Sequence, residues 1–187
     1  MSRSRHIQLL SRYNSWMNQK LYAAAAALPA DELARDRGAF FGSLLGTLNH
    51  LVVADTVWLK RFAADGALSP AASPAACAAL APVRALAMPA SLDAPQFTAL
   101  APLAAHRAWL DGVIAAWAGA LNDADLDAVL RYARMNGDSH AKPLFDVLLH
   151  FFNHQTHHRG QATTLLSQAG ADAGVTDLLT LIPDLDA

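Results

Sequence analysis

Apolar side chains recur at intervals of three and four through four long stretches of the chain, the spacing that gathers them on one face of an α-helix. Ile7, Leu10, Tyr13, Met17 and Leu21 define the first face, over about Ser4 to Ala27, and Pro29 ends it. Phe40 to Phe62 carries Leu44, Leu45, Leu48, Leu51, Val52, Trp58 and Leu59, with Ser43 as an early cap, and predicts a second helix. Pro95 suits the first turn of a third, whose stripe is Phe97, Leu100, Leu103, Trp109, Val113 and Trp117 and which ends near Leu121. The fourth runs from about Leu144 to Ala169 and stops at Gly170, a residue suited to the left-handed conformation that closes helices. These stretches predict an all-α four-helix bundle, one domain over residues 1–187.

The segments between them are less regular. A turn and a short helical piece follow Pro29, and residues 64–94 form a long, proline- and alanine-rich connection between the second and third helices, with a short helix around Ala75 to Leu80. Asn122 to Pro143 is polar, and Asn136-Gly137 is a hairpin-type signal that makes Arg131 to His140 a lid over one end of the bundle or an ordinary connector. Beyond Gly170, Leu178, Leu179 and Ile182 are expected to pack against the helices. The four tryptophans, Trp16, Trp58, Trp109 and Trp117, fall at helical core positions, with Trp58 also a candidate to line a pocket.

Composition narrows the function. With 53% hydrophobic and 16% charged residues the chain is built for burial, not disorder. A net charge of −2 offers no basic footprint for nucleic acid. The lone Cys77 excludes an internal disulfide and any paired-cysteine metal site, which suits a reducing cytoplasm. Polar residues interrupt every apolar run at the start, and Asn49, His50 and Asp55 interrupt the most apolar stretch, so neither a signal peptide nor a membrane span is expected.

Histidine is the unusual count, at eight. HFFNHQTHHRGQ places His150, His154, His157 and His158 on one helix, where residues four apart stack on one side and two imidazoles can converge on an ion. A wheel through Leu144, Val147, Leu148, Phe151, Ala162, Leu165 and Leu166 puts His158 inside the buried arc and His154 on its shoulder. His150 drifts to the edge and His157 lies furthest out, although Gln155 and Arg159 also project inward and need polar partners there. Transition metals want at least three protein ligands, and His50, amid apolar residues of the second helix, is the best-placed third. A lone buried histidine is more often hydrogen-bonded core than ligand, and His6, His106 and His140 are weaker candidates still.

Two segments, GAFFGSLLGTLNHLVVADTVWLKRF (Gly38 to Phe62) and NHQTHHRGQ (Asn153 to Gln161), together with the order and spacing of the helices, resemble the DinB family over nearly the whole chain. The resemblance implies a four-helix bundle in which His50, His154 and His158 bind a metal, often nickel or zinc, with positions open to water, and it implies a homodimer. The wider superfamily includes bacillithiol and mycothiol S-transferases and a mycothiol-dependent maleylpyruvate isomerase, so an external low-molecular-weight thiol is a candidate partner.

Asp55, a turn and a residue beyond His50, is the candidate acid–base or ligand-orienting group, with a polar bond between helices as its other reading. Asn49, Asn153 and Gln161 are candidates to steady the ligands or to pack and cap, and Arg159 to bind an anion or pair with a carboxylate. Three functions compete: a metal-dependent hydrolase or thiol-using transferase or isomerase, a non-catalytic metal-binding stress-response module, and a plain helical interaction domain.

Overall fold

The computed structural model describes residues 2–69 and 71–185. Ser2 caps α1 (Arg3–Ala26), whose buried face mixes Ile7, Met17 and Leu21 with Asn14 and Asn18. A short α2 (Ala30–Ala34) follows Pro29. The predicted second helix is α3 (Leu44–Ala63), buried almost all round and capped by Ser43, whose Oγ accepts the Gly46 N–H at 3.1 Å. It begins four residues later than its apolar pattern suggests, because Phe40 and Phe41 belong to a turn closed by the Ala39–Gly42 bridge.

Within the long connection, α4 (Pro74–Arg84) extends beyond the expected short helix, with Pro74 in its first turn and Pro82 near its end. Asp125 holds its start, accepting the Ser73 N–H at 2.7 Å, and Lys60 bonds the Arg84 carbonyl at 3.1 Å near its end. The third long helix, α5, spans Leu100–Ala120 and not the expected stretch from Pro95, since the backbone at 96 and 97 is drawn to a side chain of α3. The fourth, α6 (Leu144–Gln168), ends as expected before Gly170, which takes φ +78°. α1 packs against α5 and α6, α3 packs against the same two helices, and α4 lies across α3 and α5.

The all-helical expectation needs correction: the fold is mostly helical with a small antiparallel sheet. β1 (Leu68–Ser69) pairs with β2 (Val129–Ala133), which pairs with β3 (Ser139–Pro143) around the Asn136-Gly137 turn. The turn signal is legible in sequence. The sheet exists because facing segments satisfy each other's backbone groups while Leu130 buries completely.

Charged and amide side chains tie the long helices together inside the core. Arg107 of α5 donates to Asp55 of α3 at 2.5 Å and lies 3.0 Å from Asp111. Asn14 and Asn18 of α1 donate to Asp111 at 3.1 and 3.0 Å, and Gln155 of α6 donates to Asp55. Burial opposes the Arg107 charge, but Asp111 and Asp55 outweigh it and hold the guanidinium firmly protonated. Burial also pushes Asp55 up to about 6 against the pull of Arg107, which leaves it ionised at neutral pH.

Two sequence expectations about packing hold only in part. Only Trp117 is a core tryptophan, stacked 4.7 Å from Phe62, while Trp109 is 38% exposed and Trp16 and Trp58 are half-buried. Of the tail residues expected to pack, Leu178 is half-buried where residues 178–181 touch α1, while Leu179 and Ile182 stay exposed and the preceding segment is held by polar bonds such as Tyr13 Oη to the Thr176 carbonyl at 2.7 Å. Among the described residues no helix is long and apolar enough to cross a membrane.

Candidate metal centre

Three imidazoles meet where α3 passes α6. His50 lies two turns into α3 and is 7% exposed, and His154 and His158, one turn apart on α6, are half-buried. One ring nitrogen from each falls within 4.8 Å of the others. His50 Nε2 and His154 Nε2 are 3.3 Å apart, matching the roughly 3.3 Å between two nitrogens bound to one tetrahedral ion at about 2.0–2.1 Å. The three ring centroids are separated by 4.4 to 5.2 Å.

The opposite nitrogens of His50 and His158 are already engaged. His50 Nδ1 lies 2.9 Å from the Leu92 carbonyl, which can only accept, so the proton sits on Nδ1 and the Nε2 lone pair is left free. His158 Nδ1 bonds Gln161 Oε1 at 2.7 Å with the same consequence. This arrangement fixes tautomer and ring orientation in metal-binding histidines. Burial lowers the pKa of all three, that of His154 from 6.5 to about 3 with His158 and His50 adding to the effect, so neutral donors face one another at neutral pH.

The surroundings hold this geometry from two sides. Phe41 stacks on His50, with centroids 3.9 Å apart and planes 17° apart, and meets His158 edge-on. Its carbonyl passes so close to Gly46 that any Cβ there would collide with it, so a glycine is required in this first turn of α3. Beneath, Asn49 bonds four ways: its amide donates to the Leu45 and Phe97 carbonyls, and its oxygen accepts the Gln96 and Phe97 N–H groups. Asn49 thereby pins the segment before α5, the same segment whose Leu92 carbonyl orients His50.

Other sequence candidates fall elsewhere. His157 and His150 are exposed and outside the three-nitrogen cluster, and Asn153 is exposed too. Asp55 is buried against Arg107 and Gln155, with no hydrogen bond to an imidazole. Arg159 pairs with no carboxylate among the described residues. It bonds the Asn14 oxygen and Thr156, and lies 5.2 Å from the Tyr13 ring. Gln155 and Arg159 occupy the centre of the buried arc of α6, which turns the two histidines sideways towards α3.

Sequence reasoning missed Phe41, Leu92 and the buried Arg107–Asp111 pair. The pair had a signal, a charged i, i+4 couple inside the apolar stripe Leu103, Leu110, Ile114, Trp117, whereas the Leu92 carbonyl had none.

The hairpin reaches the same place. A cavity of about 410 Å³ is lined by His50, His154, Trp58 and Leu92 and by Arg134, Met135 and Asn136 of the β2–β3 turn. The fold and site define a mostly helical protein whose three converging, neutral histidines are compatible with one divalent metal ion. A family model described as the DinB family matches residues 1–183, and the chain belongs to the DinB family. No match was found among curated proteins or solved structures.

Proposed function

We propose that the protein is a metal-dependent enzyme built as a four-helix bundle, with His50, His154 and His158 holding one divalent ion, zinc or nickel. The observation that carries this reading is the convergence of three ring nitrogens, with the opposite nitrogens of His50 and His158 bonded to Leu92 and Gln161. Bound there by three neutral ligands, such an ion keeps its full charge and lowers the pKa of a coordinated water or thiol. The chain contributes the rest. Leu92 and Gln161 hold the donors in one tautomer, Phe41 covers one side, and the hairpin-lined cavity leaves the other side open to a small substrate.

A low-molecular-weight thiol remains our candidate co-substrate, and it must be external because Cys77 does not line this cavity. We assign Asp55 to holding the helices together in place of acid–base work, on the strength of its ion pair with Arg107. A homodimer and a cytoplasmic location complete the reading. Protein purified without an affinity tag should contain about one ion per chain, and His50→Ala, His154→Ala or His158→Ala should each abolish stoichiometric binding in elemental analysis. Cobalt-substituted protein should show visible bands that shift when azide or a small thiol is added. Bands indifferent to every added ligand would mean a closed site and defeat the enzymatic reading.

A further inference from the structure

Arg61 is an unusual cation. It sits in the last turn of α3, half-buried, with its guanidinium 4.7 Å from the Trp58 ring centroid and 5.0 Å from that of Tyr132. Among the described residues no carboxylate lies within ion-pair distance of it. Burial lowers its pKa, and the charge of Arg134, close by on the hairpin turn, lowers it further. Aromatic faces return part of the cost of desolvating a guanidinium, but they leave its planar fork of donors unmatched. Two arginines near each other with no carboxylate in ion-pair distance offer donors that suit the oxygens of an oxyanion.

The space in front of this pair is continuous with the histidine cluster. Three cavities, of about 450, 410 and 340 Å³, all have Arg61 and Arg134 in their walls. The middle one reaches His50 and His154, and its wall mixes apolar groups such as Val57, Leu92 and Met135 with Asn136 and His150. The largest adds Lys142, with Asp146 the acidic side chain on its wall. Trp58 borders both, its ring turned edge to face against His150 at 5.5 Å.

We propose that this groove binds a small organic anion, a carboxylate or phosphate carried on a planar or apolar body. The oxyanion bonds Arg61 and Arg134, and the body lies along Trp58 and Met135 towards His50 and His154. The proposal deepens the metal reading, and depends on it only for which end of the ligand reacts. It makes Arg61 a substrate-binding residue and the hairpin turn the other half of the receptor.

Calorimetric titration with benzoate, phenyl phosphate and neutral benzyl alcohol tests it, on protein treated with a chelator and on protein loaded with zinc. Wild type should bind one or both anions, the preference between them naming the oxyanion, and should not bind the alcohol. Arg61→Gln should weaken anion binding by about tenfold or more, and Arg61→Lys should recover only part because it lacks the fork. Should Arg61→Gln fail to fold by circular dichroism, Arg134→Gln on the exposed turn carries the same test with a smaller loss. Wild type that binds no anion, or folded variants that bind as tightly as wild type, would overturn the proposal. Anion binding without stoichiometric metal would refute the metal reading and leave the pocket standing, and stoichiometric metal without anion binding would do the reverse.

Discussion

An imidazole serves as a metal ligand only while it is neutral, and the three histidines here are kept neutral chiefly by burial. The consequence for stability has a definite sign. Below the ordinary value of 6.5 an unfolded chain protonates these rings while the folded chain resists, so the unfolded state binds more protons. Metal-free protein should therefore lose stability as pH falls from 6.5 towards about 3, the window set by His154. Thermal melts in chelator at pH 7.5 and pH 5 should show the drop, and His154→Ala should show a shallower one. An equal slope in the variant would mean that the neutral state of His154 contributes nothing to folding. At this scale the sequence was informative about the pair His154 and His158, since their four-residue spacing is a property of any helix. Of the groups that orient the rings, Gln161 was legible, three residues from His158. The Leu92 carbonyl was not, because every residue has one.

Between elements, the decisive contacts are polar. Arg107 lies between Asp55 of α3 and Asp111 of its own helix, with Asn14, Asn18 and Gln155 bonded to the carboxylates. Removing only the cation strands two buried carboxylates, so Arg107→Met should cost about 3–5 kcal/mol in urea unfolding. The triple variant Asp55→Asn, Asp111→Asn, Arg107→Met should recover much of that loss, since no charge is then left unpaired. A triple variant no more stable than the single one would show that packing, and not charge, sets the cost. The same network explains why the wheel of α6 alone misleads about Arg159. A helical wheel reports which side is buried without reporting what lies opposite, and opposite Arg159 lies Asn14, an amide in place of the expected carboxylate. The hairpin shows a similar limit. Its Asn136-Gly137 turn can be read locally, but pairing with residues 68 and 69 brings together segments some sixty residues apart.

Across the whole molecule, an ion at His50, His154 and His158 would cross-link α3 to α6, two helices with residues 64–143 between them. On our reading such an ion stabilises only the folded state, by about 2.7 kcal/mol when free metal is a hundredfold above the dissociation constant. For a chain of this size that corresponds to a rise of about 5–10 °C in Tm on adding zinc to chelated protein. His154→Ala should make Tm indifferent to metal, and a metal response surviving in that variant would relocate the site. The open side of the cluster faces the hairpin and Arg61, so the same ion would stand at the end of a cationic groove, not in a sealed core.

The sequence by itself determined the four long helices, their approximate ends, the sharp stop at Gly170 and the pairing of His154 with His158, because each is set by spacing or by backbone preference within a few residues. It also made the family legible, in the segments around His50 and His158. Only the tertiary structure decided that His50 faces that pair, since α3 is apolar nearly all round and burial alone gives it no direction. Only it moved the start of α5 from Pro95 to Leu100, where Asn49 captures the preceding backbone, and only it set Arg61 against two aromatic rings with no carboxylate in ion-pair distance among the described residues. Those outcomes depend on which surfaces meet, and that is fixed by packing across the chain.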